Sequence, residues 1–306
     1  MARTPKTVSP HGNTILITGA STGLGREAAL HLAGLGFHVV GAVREPEDAA
    51  SLTAAAPGGR ISTVLFDVTD EPAVGQAAAQ VAERVGEGGL WGLVNNAGIC
   101  VSAPLECVGT DLLRRQLEIN VVGQLAVTRA FLPLLRRARG RLVNVTSGLG
   151  TVAIPYLGAY SAAQFAKEGM SDALRRELAP LGVTVSVVSP GAVMTPIWAK
   201  IAEEGKAALA SAPGPVAALY RGTFLRFLDF NEQAARASAT TPGDVANAVR
   251  AALTVAKPKT RYRVGADVRR GSLLARVLPD TAIDSQFRKI VEPVRAVQEE
   301  AQHVGR

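Results

Sequence analysis

The chain has 306 residues, 47% hydrophobic and 19% charged, a balance that excludes a disordered protein and fits one α/β domain or at most two. The formal net charge is +7, and residues 257–306, with 11 Lys/Arg against 6 Asp/Glu, hold most of it. No basic stripe with interleaved aromatics of the kind nucleic acid requires is present, and no apolar run reaches the roughly 18–20 residues of a membrane span.

The elements alternate along the chain. Residues 1–12 read as a loose tail with no apolar segment of a signal peptide. Thr14–Thr18 (TILIT) predicts a strand, followed by glycines and a helix over about 23–34. His38–Val43 and Ile61–Asp67 predict the second and third strands, and the alanine-rich Pro72–Val85 a helix with proline near its start. Gly92–Asn95 is a short fourth strand, Leu112–Leu135 a long helix, and Arg141–Thr146 a fifth strand. A helix over Tyr160–Leu178 then leads into a sixth strand at Val183–Ser189. Strands and helices in this rhythm indicate βαβ crossovers and a parallel, doubly wound (Rossmann) sheet.

After Ser189 the rhythm breaks. Residues 191–240 carry Trp198, Tyr220, Phe224, Phe227 and Phe230 among Ala and Pro, and read as a mobile helical lid over a pocket. Thr241 and Pro242 open a helix that runs to Thr254. Arg261–Val264 predicts a seventh strand, and 270–306 a basic amphipathic tail. No linker divides residues 13–306, so a single domain is expected.

Polar residues fall where the strands end. Gly19, Ser21, Thr22, Gly23, Leu24 and Gly25 form a glycine-rich turn between a strand and a helix, a geometry that turns backbone N–H groups towards a phosphate. By itself such a turn is equally a tight βα connection. Asp67 closes the third strand, where a carboxylate can meet an adenine amino group, and Val68 follows it. Asn95, Asn96, Ala97 and Gly98 close the fourth. Ser147 follows the fifth, Tyr160 opens a helix 13 residues later, and Pro190, Gly191 and Thr195 follow the sixth. Ligands of open parallel sheets bind at these strand ends.

Over roughly residues 12–265 the chain resembles the short-chain dehydrogenase/reductase family. The resemblance rests on TGASTGLG at 18–25, NNAG at 95–98, Asn120, Ser147, Tyr160 and Pro190-Gly191. TRYRVGADVR at 260–269 is similar to members acting on steroids, retinoids and other apolar alcohols. The resemblance implies a nicotinamide dinucleotide held by Gly19, Ser21, Thr22, Gly23, Leu24, Gly25, Arg44, Asp67, Val68, Asn95, Ala97, Gly98, Tyr160, Pro190, Gly191 and Thr195. It also implies that Tyr160 is the acid/base, that Ser147 hydrogen-bonds the same substrate oxygen, and that Asn120 helps hold a relay water. An apolar alcohol or carbonyl substrate and a homodimer or homotetramer are expected from the same source.

The chain departs from the family pattern at one place. Where Tyr-x-x-x-Lys is expected, Gln164 stands four residues after Tyr160. Glutamine replaces the hydrogen bonds of the lysine but not its charge, and bringing a tyrosine from pKa ~10 to ~7 needs about 4 kcal/mol. Lys167, the only lysine between Lys6 and Lys200, shares the helix face of Tyr160 and Gln164. It stands in for the missing charge, snorkels at a subunit contact, or is solvated.

At the end of the second strand the first charged residue is Arg44, with no carboxylate before it, which suits the 2′-phosphate of NADP(H) over NAD(H). A solvated loop charge is the plainer reading. The four histidines show no metal spacing, and two cysteines, Cys100 and Cys107, supply neither a disulfide framework nor a zinc site, which places the chain in the cytoplasm. The function expected is NADP(H)-dependent interconversion of an apolar secondary alcohol and its carbonyl. The competing expectation is an NADP(H)-binding protein with weak or no catalysis because of Gln164.

Overall fold

The computed structural model describes residues 9–10 and 12–292. Seven parallel strands form one sheet in the order β3-β2-β1-β4-β5-β6-β7. They are β1 (Thr14–Thr18), β2 (His38–Val43), β3 (Ile61–Leu65), β4 (Gly92–Asn95), β5 (Arg141–Val145), β6 (Thr184–Pro190) and β7 (Arg261–Val264). Successive strand residues face opposite sides, and both sides are buried. Ile15, Ile17, Val39 and Val143 join one core cluster with α1 (Gly23–Gly34) and α9 (Pro242–Thr254). Leu16, Val40, Leu93 and Leu142 join the other with α3 (Glu71–Val85), α5 (Gly123–Ala138) and α6 (Gly158–Leu178).

The strand order reverses between β1 and β4, and a crevice opens there at the carboxyl ends of the strands. This is the Rossmann-type single domain that the strand–helix alternation implies.

Several boundaries differ from the sequence expectation, each for a local reason. A short helix, α2 (Pro46–Ala54), was not anticipated; it starts with proline in its first turn and carries Glu47 and Asp48 there, both favourable at a helix N-terminus. The long helix expected over 112–135 runs from Thr110 to Ala138 in two parts, α4 (Thr110–Leu117) and α5. A π-helical turn at Glu118–Val122 joins them. β3 stops at Leu65, so Asp67 lies two residues beyond the strand and turns its carboxylate back onto Thr69.

The 191–240 segment forms α7 (Ile197–Ser211) and α8 (Gly214–Arg236), packed against each other over a third core cluster that contains Cys100, Cys107, Tyr156 and Phe224. The expected tail folds instead, from Ala266, into α10 (Ala266–Val277) and α11 (Asp280–Val291). Residues 293–306, and all of the expected N-terminal tail except 9, 10 and 12, lie outside the described residues.

Candidate active site

The glycine turn is shaped by backbone constraints. Gly19 and Gly23 take φ of +64° and +56°, values that favour glycine. A Cβ on Gly25 would run into the Gly19 carbonyl oxygen. Thr22 precedes α1 in extended conformation and makes no side-chain cap, so the first-turn N–H groups are left for another acceptor.

The turn is fastened to the neighbouring strand end. Thr18 Oγ1 accepts from the N–H groups of Asn96 and Ala97, both at 3.0 Å. Asn96 Nδ2 donates to the carbonyls of Thr18 and Gly19 at 3.0 and 3.2 Å. Thr18 and Asn96 were quoted within motifs but not singled out; their signal was a hydroxyl and an amide facing each other at the two strand ends that flank the crevice.

The remaining strand-end residues converge on the same crevice. A Cβ on Gly23 would lie 3.5 Å from Thr195 Cβ, so the segment after β6 closes over the turn. Gly191 donates to Val264, and Ala192 N–H donates to Asp267 Oδ2 at 3.0 Å, which fixes the Pro190-Gly191 corner to α10. Asn95 Nδ2 donates to Thr128 and to Asn144, and Asn144 Nδ2 to Ser171, a buried polar chain from β4 through β5 to α6. Arg44 and Asp67 meet each other at 3.5 Å across the ends of β2 and β3. Burial acts to raise the Asp67 pKa, but hydrogen bonds from Thr69 and the Arg44 charge outweigh it and hold the carboxyl below its usual range. Val68 packs against Gly123 instead of opening onto the crevice.

Ser147 and Tyr160 come together across the crevice from the glycines. Ser147 sits just past β5 in extended conformation, and its hydroxyl accepts from Leu149 N–H at 3.2 Å. Desolvation pushes the Tyr160 hydroxyl above the ordinary tyrosine value, and the Cys100 thiol beside it acts in the same sense. A hydrogen bond with Ser147 acts against both. Asn120 lies in the π-helical turn and grips the Ile99 backbone with both side-chain atoms, each at 2.9 Å.

Gln164 is buried, and its Oε1 has no hydrogen-bond partner. Lys167, expected at a surface or reaching for Tyr160, does neither. It is 2% exposed and donates from Nζ to the Val145 carbonyl at 2.7 Å. The reason is geometric: three residues on from Gln164, its stem lies between α6 and the sheet, and its ammonium meets the carbonyl at the end of β5. Burial lowers its pKa from 10.5 to about 8, with the Glu168 carboxylate opposing the shift.

The side of the site under α7 and α8 is apolar. Tyr156, at φ +67°, packs edge-on against Phe224 and Phe227, and its hydroxyl donates to Thr223 at 2.8 Å. Tyr220 OH donates to Glu106 at 2.6 Å and Arg115 pairs with Glu204 at 3.1 Å, so both lid helices are tied to the body. Burial pushes the Cys100 thiol well up, the Glu204 charge adding to it, which suits a packing residue and not a thiolate nucleophile.

The structure therefore fits a bound dinucleotide. The uncapped turn would take its phosphates, Gly19 and Gly25 leave the backbone bare for close approach, and the orphaned Gln164 Oε1 awaits a donor such as a ribose hydroxyl. Among the described residues no cluster of three or more His, Cys, Asp or Glu is arranged to hold a metal, and no helix is long and apolar enough to cross a membrane.

Comparison with known proteins points the same way. The family described as short chain dehydrogenase matches residues 13–206. The chain is similar to a 3-amino-tetrahydro-pyrrolizinone reductase of Xenorhabdus hominickii, 42% identical over 274 residues, with 90% of this chain and 94% of the relative covered. It is also similar to retinol dehydrogenase 5 of Mus musculus, 40% identical, with 92% and 90% covered. Its fold superposes with TM-score 0.70 on the crystal structure of a short chain dehydrogenase from Burkholderia cenocepacia in complex with NADP. That structure is 25% identical, with 94% of this chain and 100% of the other covered.

Proposed function

This chain belongs to the short-chain dehydrogenase/reductase family and is an NAD(P)-dependent oxidoreductase of alcohols and carbonyls; from that premise we propose that it reduces bulky apolar ketones with NADPH, Tyr160 acting as the proton donor. The observation that carries the reading is Tyr160 beside Ser147, with its hydroxyl held in the protonated form, set between the glycine turn and an apolar cluster under α7 and α8. The dinucleotide supplies or accepts the hydride when bound. Ser147 holds the substrate oxygen, Tyr160 O–H delivers a proton to it, and the lid excludes water.

Gln164, without charge, orients a ribose hydroxyl but does not stabilise a tyrosinate. Because the reaction equilibrium fixes the ratio of forward to reverse kcat/KM at a given pH, the missing charge slows both directions together. The Gly19–Gly25 turn with Asn95, Ala97, Gly98, Pro190, Gly191 and Thr195 holds the dinucleotide, and Asp67 faces its adenine end. Arg44, 64% exposed on its side chain and free to leave Asp67, offers a guanidinium to a 2′-phosphate. Asn120 positions the Ile99 loop beside the site. The exposed Val122, Leu125 and Phe165 support a homo-oligomer in which the α5 and α6 faces meet, and the cysteine usage supports a cytoplasmic location.

A second reading is a nucleotide-binding protein with little turnover, favoured by the orphaned Gln164 Oε1 and the missing charge. Both readings bind NADPH. Only the enzyme consumes it when a carbonyl substrate is added, and only the enzyme loses that consumption in Tyr160→Phe.

A further inference from the structure

The sheet ends at β7, whose outer edge has no partner strand among the described residues. Beside it, between α9 and α10, opens a cavity of about 870 Å³. Its walls include Lys259, Arg261, Arg263, Arg269 and Arg276, against a single carboxylate, Asp244. That carboxylate is committed to capping α9, where it accepts from Thr241 N–H at 2.9 Å and Thr241 Oγ1 at 2.8 Å.

Arg261 is neutralised from behind by Glu168 at 2.9 Å and Asp172 at 3.1 Å. Among the described residues, Lys259, Arg263, Arg269 and Arg276 have no carboxylate within ion-pair distance. Among the described residues the buried Arg263 Nη2 has no hydrogen-bond partner. Burial, and then the charges of Arg276 and Arg261, push the Arg263 guanidinium below its ordinary value, with the Glu168 carboxylate opposing the shift.

Charged side chains on an edge strand discourage edge-to-edge pairing. That accounts for exposed arginines, but not for a buried guanidinium N–H left without an acceptor beside the unpaired Arg276. Such a group costs stability unless something anionic fills the space. We propose that the β7–α10 cavity is an anion site, built for a phosphate group and gripped by Arg263 and Arg276. Guanidinium groups meet phosphate oxygens with paired N–H donors, which matches the composition of the walls.

The site is separate from the dinucleotide crevice, which lies between β1 and β4 in the middle of the sheet. Its wall nevertheless touches the loop that carries Ser147. Ser272 lies 3.0 Å from Thr151 Oγ1, which donates to Gly148, and Arg261 reaches Thr146 through Glu168.

The test uses the full chain with saturating NADP⁺, so that the phosphate loci of the crevice are filled. Pyrophosphate is titrated calorimetrically at constant ionic strength, and the same protein is co-sedimented with phosphatidylcholine vesicles with and without phosphatidylglycerol. Saturable pyrophosphate binding is expected, weakened roughly tenfold or more in Arg263→Gln and in Arg276→Gln. Arg136→Gln, on α5 away from the cavity, should leave it unchanged. Pyrophosphate binding without sedimentation identifies a free phosphate compound as the ligand. Sedimentation that requires phosphatidylglycerol, Arg263 and Arg276, and that pyrophosphate competes away, identifies a lipid headgroup. The proposal is overturned if neither probe binds, or if binding is the same in Arg263→Gln and Arg276→Gln as in the parent.

Discussion

Gln164 and Lys167 set the electrostatics around Tyr160. A lysine at 164 would place a charge where the orphaned Gln164 Oε1 now lies, and Gln164→Lys should raise kcat/KM by about tenfold or more, since ~1.4 kcal/mol of transition-state stabilisation is a factor of ten. The new ammonium would stand one helical turn from Lys167, and like charges three residues apart disfavour each other. The gain should therefore be larger in a Lys167→Met background, which steady-state kinetics of the single and double variants will show. Lys167 itself carries a cost. With its pKa near 8 in the fold against 10.5 unfolded, the unfolded chain binds more protons between those values, so stability rises with pH from about 8 to 10.5. The shift corresponds to roughly 3 kcal/mol, against about 1 kcal/mol for the hydrogen bond to Val145. Lys167→Met should thus stabilise the protein by about 2 kcal/mol at pH 7, an advantage that shrinks as pH rises above about 8 and is gone before pH 10.5; urea denaturation across that range measures it. The sequence placed Tyr160, Gln164 and Lys167 on one helix face correctly. It did not reveal that the sheet would cover the lysine, because the depth of a side chain depends on which strand its helix lies across.

At the scale of elements, the strand ends and the lid divide the work. The glycine turn before α1 has no space for a Cβ at Gly25, so Gly25→Ala should abolish dinucleotide binding measured by fluorescence titration. Arg44 sits at the end of β2 with no carboxylate before it, so NADPH should bind more tightly than NADH, and Arg44→Asp should reverse the order. Equal dissociation constants in the parent would remove this argument. In the lid, Phe224 is fully buried against Tyr156, and Phe224→Ala should cost about 3–5 kcal/mol in urea denaturation while raising KM for bulky ketones. The strands were legible because buried parallel strands are short apolar runs closed by polar residues. The helices after β7 were not, since α10 and α11 mix arginines with scattered apolar residues, and only their packing onto the body makes them helical. The π-helical turn at Glu118–Val122 was equally hidden, because one extra residue in a turn leaves no mark on apolar spacing.

For the molecule as a whole, the sheet order brings residues from six strand ends to one crevice, and two lid helices roof it with apolar side chains. The residues proposed to hold the dinucleotide are carried by contiguous motifs. The apolar cluster under the lid was legible only as a collection of aromatics, because Cys100, Tyr156 and Phe224 are distant in sequence and meet through tertiary packing. The pH dependence follows from the same enclosure. With burial raising the Tyr160 pKa and no cation among the described residues acting to lower it, alcohol oxidation, which needs tyrosinate, should speed up as pH rises through 9 to 10. The most direct measurement of the central claim is NADPH absorbance followed with the parent enzyme and Tyr160→Phe, over ketones from steroid-sized to acetone-sized. The account predicts consumption with the bulky apolar ketones, a much lower kcat/KM for the small polar ones, and loss of all consumption in Tyr160→Phe. Consumption that persists in Tyr160→Phe, or that is confined to small polar ketones, would contradict it.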